Sequence, residues 1–462
     1  MAIHLSGFIS EGFMKVFAAL LLAALVTSSA AFAAPKTTAQ NNATVKINPD
    51  TLRRLFLDRN VGIAISLNNV HQAKERVNVA RGNLLPSVNL GGAISSGPSF
   101  ALNSVSFLLP FLMPSNWMDL KENTYLLKAQ GMSHYIAQLN GYSSAYSIYM
   151  TILGDIELRG ILSLQYENLK AIEEQLRLPA QLGMIREEEY LQAQAQTQMA
   201  LVQLSQVDEL VLQEKAAIRE LLGLPLTTEI VFEDAAVAVS PVENWSPQSL
   251  LTQVHEKSPE SRQMAAMITS AQYNKWSKAF SFLGGHSLGA SRMNGAMGSL
   301  EHSGSVNFGF AYFPNLKISN LNIEQLKLRK KELQFEQANL IEVTLGSLME
   351  AQKQYNAAAL AHANLVKVYD AEVLRYKLGM TDLLHVLEAS NGLTNSVTNK
   401  IKAQTALNTL RISLHRIMIS EQFAKVEDCE IERRGSGGIK GKLGRVFNPE
   451  KYQVTLDEVC GN

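Results

Sequence analysis

Apolar residues recur at three- and four-residue spacing through most of the chain, and this period is interrupted twice, first by a stretch free of charge and then by one whose Arg292 and Glu301 sit near its turn. The spacing predicts a helix from about Asp50 to Asn83, carrying Leu67, Val70, Ala73, Val77 and Ala80 on one side. From Pro114 to about Arg177 there is almost no breaker, which predicts a helix spanning roughly 90 Å at 1.5 Å per residue. Residues 187–222 return as helix, with Leu201, Leu204, Val211, Ile218 and Leu222 in one seam, and Gly223-Leu224-Pro225 stops it. A short strand-like run at Glu229–Phe232 lies in the connector. A helix starts near Ser246-Pro247, restarts at Ser258-Pro259-Glu260 and reaches about Lys278. Another long helix runs from about Leu316 to Lys377, with Leu345, Leu348, Tyr355, Val366, Tyr369, Val373 and Tyr376 at heptad-like spacing. Its return extends to about Ser420, with Leu407, Leu410, Leu414 and Ile417 in step.

The two interruptions read as strand pairs. Between Gly82 and Met118 there is no Asp, Glu, Lys or Arg, and small or polar residues alternate with apolar ones over 85–112. The second pair, 280–313, alternates more cleanly: Val306, Phe308, Phe310 and Tyr312 fall on one face, and Asn307, Gly309 and Ala311 on the other. Such a pair suits a lipid-facing barrel wall or a hairpin in a soluble core.

Each long helical pair reverses at a Leu-Gly-Met step: Leu182-Gly183-Met184 and Leu378-Gly379-Met380. Glycine adopts positive φ at little cost, which suits a tight reversal. Acidic residues soon after each step suit the start of the next helix. Corresponding landmarks, Gly183 with Gly379 and Pro114 with Pro314, lie about 195–200 residues apart, so the chain is internally duplicated. The expected organisation is a first repeat over 50–225, a connector over 226–246 and a second repeat over 247–420.

Composition narrows the classes. The 462 residues carry no net charge, and charged residues make up 18%, below the usual quarter; nothing points to nucleic acid. No nucleophile-elbow, phosphate-loop, dinucleotide or zinc motif is present, so the chain is read as no enzyme, with no cofactor and no metal. Met14-Lys15, the apolar run Val16–Val26 and Ala31-Phe32-Ala33 read as a secretory signal over 1–33, with the start at Met14 and Ala34 first in the mature chain. Residues 34–49 read as a flexible N-terminus. The tail, 421–462, is basic and glycine-rich around Arg433–Lys442 and reads as flexible. It carries the two cysteines, Cys429 and Cys460, whose pairing in an oxidising compartment stays open.

With Leu84-Leu85-Pro86-Ser87-Val88 before the first strand, Leu221–Pro225 closing the first repeat, and Leu378 through Ala389 at the second tip, residues 50–420 resemble the TolC-like outer-membrane efflux and secretion channels. The resemblance implies a mainly α protein with a membrane β-barrel part. Long helices would form a coiled-coil tunnel in the periplasm. Four strands per protomer would enter a twelve-stranded barrel shared by a homotrimer in outer-membrane lipid. It also implies that the tips, Leu182, Gly183, Met184, Leu378, Gly379 and Met380, dock on a periplasmic adaptor coupled to an inner-membrane transporter. By position, His385 and Glu388 stand where the family narrows its pore with acidic residues. A histidine there implies a mixed ring whose charge changes near pH 6–7. Asp382 reads as a cap of the return helix. The competing reading is a secreted periplasmic helical scaffold that binds proteins and forms no channel.

Overall fold

The structure is a computed structural model, and it describes residues 44–85, 111–240, 243, 246–281 and 311–426. The secretion signal, most of both strand-pair segments, Cys429, Cys460 and the basic tail lie outside the described residues. The chain divides into two compact units, Met1–Thr44 with Thr227–Glu229, and Val45–Leu226 with Ile230–Asn462. Every described helix belongs to the second unit.

In order, the elements are β1 (Thr44–Ile47), α1 (Pro49–Arg59), α2 (Val61–Gly82), α3 (Pro114–Gln181), α4 (Glu187–Leu221), β2 (Glu229–Phe232), α5 (Pro247–Lys257), α6 (Pro259–Phe280), α7 (Tyr312–Lys377) and α8 (Leu383–Met418). A 3-10 turn, Glu421–Lys425, follows. β1 and β2 form a two-stranded sheet. The 68 residues of α3 and the 66 of α7 each extend about 100 Å. Such helices depend on packing along their length rather than on propensity. α3 packs against α2, α4, α6 and α8, and α7 packs against α8, α6 and α5.

The helix boundaries follow local chemistry. Asn48 caps α1 by accepting from Thr51 N while Thr51 accepts from Asn48 N, both at 2.8 Å. The single helix expected over 50–83 is two helices. Asn60 ends α1, its side chain accepts from Ile63 N at 3.0 Å to start α2, and its amide donates to Leu221 O at 2.8 Å. One asparagine therefore breaks a helix, caps the next and satisfies a carbonyl at the end of α4. Ser246 and Ser258 cap α5 and α6 ahead of Pro247 and Pro259.

Four expectations shift. Thr44–Ile47, read as flexible, is strand, and Ile47 is fully buried. Residues 111–112, Phe280, Tyr312 and Phe313, placed in strand pairs, are helical. α7 can begin at Tyr312 because Pro314 falls in the first turn, where a missing N–H costs nothing. Leu201 sits outside the α4 seam; the buried face is built instead from Ala193, Thr197, Ala200, Val207, Val211 and Ile218. Small residues there let the helices approach closely. The start of the tail is also ordered. Ile419 takes a left-handed conformation (φ 51°), turning the chain so that Phe423 packs edge-on against Tyr142, with ring centroids 5.1 Å apart. Phe423 is 1% exposed. A β-branched residue at positive φ is strained, and burial of this phenylalanine offsets the strain.

The largest apolar cluster joins Ile47, Leu52, Phe56, Tyr142, Tyr149, Ile218, Leu222 and Phe423. Its tyrosines keep partners: Tyr149 Oη donates to Glu233 O at 2.5 Å and Tyr142 Oη to Pro49 O at 3.3 Å, so their burial leaves no hydroxyl unsatisfied.

Candidate functional site

The two hairpin ends share one backbone motif. At the first, Gly183 has φ 67°, Gly183 N donates to Ala180 O at 3.1 Å and Met184 N to Pro179 O at 2.9 Å. At the second, Gly379 has φ 71°, Gly379 N donates to Tyr376 O and Met380 N to Arg375 O, both at 2.9 Å. This pair of bonds satisfies the last carbonyls of a helix around a left-handed residue. A Cβ added at either glycine would meet nothing within 4 Å, so conformation, not space, requires glycine there. Pro179 sits in the last turn of α3, where it supplies the accepting carbonyl and removes only the bond that Gln175 O would have received. The sequence reading passed over this proline.

The motif thrusts apolar side chains outward. Leu182 and Leu378 are each 65% exposed, and Met184 and Met380 are 74% and 73% exposed. Leu178 and Leu374, one turn earlier, are exposed as well. Methionine and leucine at matched positions on two tips present adaptable apolar surface.

Beyond the tips the two ends differ in charge. Glu187, Glu188 and Glu189 open α4 and complement the helix dipole, and Glu189 pairs with Arg186 at 3.2 Å. At the second tip Asp382 is the cap, accepting from His385 N at 3.4 Å and lying 2.5 Å from His385 Nδ1. The bond to Asp382 and its charge raise the His385 pKa, with Glu388 and Glu372 adding to the effect. The same bond lowers the Asp382 pKa. The imidazolium is therefore held to a higher pH than in a free histidine. Glu388 lies three residues on, exposed on the same face. Leu383 and Leu387 point the other way, into a cluster with Leu169, Leu176, Ala193 and Ala200 of α3 and α4. Asn391 Nδ2 donates to Gln196 Oε1 at 3.1 Å, tying the return helices of the two repeats together.

Higher up, sequence reading missed an acidic pair. Asp155 of α3 and Glu214 of α4 share a hydrogen bond, with Lys402 of α8 close to Asp155. Glu214 stands between Val211 and Ile218 at seam spacing, which is the signal that could have found it. Burial first, then the charge and hydrogen bond of Asp155, push its pKa up to about 8. Its Oε2 is buried and has no hydrogen-bond partner among the described residues. Because the folded pKa lies above the ordinary 4.5, the folded chain holds an extra proton between those values. Stability falls as pH rises through that window. Glu214→Gln is expected to remove this slope, gaining about 2 kcal/mol near pH 9 after discounting for partial exposure. Thermal unfolding at pH 6 and pH 9 of native and variant protein measures it.

No protein-family model matches the sequence, and no curated protein matches it by sequence. The fold has clear counterparts. The Campylobacter jejuni CmeC outer membrane channel matches over 82% of this chain and 88% of its own, at 14% identity and TM-score 0.63. The open state of the Neisseria gonorrhoeae MtrE outer membrane channel matches over 80% and 88%, at 13% identity and TM-score 0.60. The outer membrane protein VceC from Vibrio cholerae matches over 80% and 95%, at 13% identity and TM-score 0.61. Long helical hairpins, duplicated glycine tips and these matches across most of the chain agree: the chain has the fold of the TolC-like outer-membrane channels.

Proposed function

We propose that the protein is a trimeric outer-membrane duct, serving a tripartite efflux pump or a type I secretion system, and that its tips dock on a periplasmic adaptor. The pairing of this fold with two matched, exposed apolar tips carries the reading. The two strand-pair segments, most of which lie outside the described residues, would supply the strands of the barrel. Four strands from one chain leave open edges, which lipid does not tolerate, so closure calls for several copies. A second feature favours oligomerisation. On α7, Leu321, Leu328 and Phe335 stand at successive heptad steps and are 54%, 58% and 71% exposed. An unpartnered apolar stripe at this spacing suits a neighbouring helix. Among the described residues no helix is long and apolar enough to cross a membrane.

Planar-bilayer recording tests the duct. Purified protein is expected to migrate as a trimer and to give discrete conductance steps. A detergent-independent monomer that passes no ions would instead support a periplasmic scaffold.

In this reading His385 and Glu388 line the entrance. As pH rises through the raised His385 pKa the entrance loses positive charge, so cation selectivity increases. His385→Ala is expected to abolish that transition while preserving conductance at high pH. Reversal potentials measured between pH 5 and 9 check it, and identical titrations would remove His385 from the pore.

A further inference from the structure

A cleft of about 390 Å³ lies where α8 ends and α6 begins, between α3 and α7. Four helices meet there through one polar chain. Ser258, the cap of α6, donates from Oγ to Glu260 Oε2 at 2.7 Å. Since that hydroxyl proton is committed, Ser258 Oγ can only accept from Gln337, whose Nε2 lies 2.7 Å away. This fixes the amide orientation of Gln337 and leaves its Oε1 as an acceptor. The residue is 9% exposed, and Oε1 has no hydrogen-bond partner among the described residues. A buried carbonyl without a donor is costly, and Gln337 is one of the residues that line the cleft.

Charge selects what could satisfy it. Arg416 is committed to Glu260 through Nη2 and to Asn140 Oδ1 through Nε at 2.7 Å. The guanidinium and the Glu260 carboxylate cancel, leaving Glu336, exposed at the rim, as the uncompensated charge of the lining. Leu333, Leu340, Val254 and Ile417 supply apolar walls. The lining thus combines an orphan acceptor, a rim carboxylate and a greasy floor, at a volume within the usual range for small-ligand sites.

We propose that this cleft binds a small amphipathic organic cation, a protonated amine on an apolar body. Its N–H donates to Gln337 Oε1, its charge faces Glu336, and its body covers the leucines. Bound there, the ligand bridges α7 to the junction of α8 and α6, so occupancy stabilises that joint. The site lies within one chain and does not depend on the duct reading.

Three probes of the same shape test it: 4-phenylbutylamine, 4-phenylbutanol and 4-phenylbutyrate, titrated calorimetrically into the full chain in a non-ionic detergent. The amine is expected to bind saturably, about tenfold tighter than the alcohol, with the carboxylate weakest. Gln337→Leu and, separately, Glu336→Gln should each weaken the amine about fivefold or more, and only Glu336→Gln should leave the alcohol unchanged, because the alcohol's O–H can also donate to Gln337 Oε1. Glu336 is exposed, so its variant folds even if Gln337→Leu does not. Equal binding of amine and alcohol, no saturable binding by the amine, or an amine affinity that Glu336→Gln leaves untouched would each overturn the proposal.

Discussion

Leu182→Asp combined with Leu378→Asp is expected to leave the protein folded and conducting, yet to weaken adaptor capture about a hundredfold or more. Both side chains are 65% exposed, so their replacement costs the fold little; exposed substitutions are usually worth within about 0.5 kcal/mol. Apolar side chains at the centre of an interface are different. Truncating such an anchor costs about 2 kcal/mol, and a buried, unpaired carboxylate is worse. Two matched tips multiply the effect, because each adaptor contact would be lost at both. Crosslinking from positions beside the tips in intact cell envelopes measures capture, while single-channel recording confirms that the duct is intact. Capture at the native level would end the assignment of the tips as docking sites.

Gly223→Val is expected to be the most damaging single change to the fold, at about 3 kcal/mol or more. Two physical effects coincide there. Gly223 has φ 57°, and a Cβ at that position would sit 2.8 Å from Arg59 O. The obstacle is backbone, held by the Asn60 bridge to Leu221 O, so it cannot move aside. Gly183 provides the control: its φ is 67° but a Cβ there meets nothing within 4 Å. Gly183→Ala should therefore cost only the conformational penalty, about 1 kcal/mol, and Gly223→Ala distinctly more. Urea midpoints of the two alanine variants separate strain from collision, and equal midpoints would show that the Arg59 contact carries no energy.

Much of the helical architecture was legible because the physics behind it is local. Proline after serine marked the starts of α5 and α6, glycine marked three helix ends, and uninterrupted helix formers marked α3 and α7. The tips were legible for the same reason: a left-handed residue must be glycine unless something else compensates. Asn60 was missed because asparagine within a helical pattern is ambiguous until it is seen to cap and to bridge. Ile419 was missed because nothing in its own chemistry asks for positive φ; the demand comes from Phe423 several residues later. The Gln337–Ser258–Glu260–Arg416 chain draws on three helices far apart in sequence, so no spacing could have announced it. Glu214 was the readable exception, a carboxyl at a seam position where a leucine would otherwise stand. His385 and Glu388 show the same division. Placing His385 and Glu388 on one face needed only helical spacing, whereas the upward shift of His385 needed the observed contact with Asp382.

The anchoring of Phe423 against Tyr142 has a practical consequence for anyone cutting or extending this polypeptide. A stop codon placed after Val426, itself 3% exposed, keeps the aromatic plug and the Lys425 to Asp50 contact at 3.1 Å. One placed at Ser420 uncorks the main core and leaves Ile419 twisted with nothing to hold it. Affinity tags and reporter fusions therefore belong downstream of Val426.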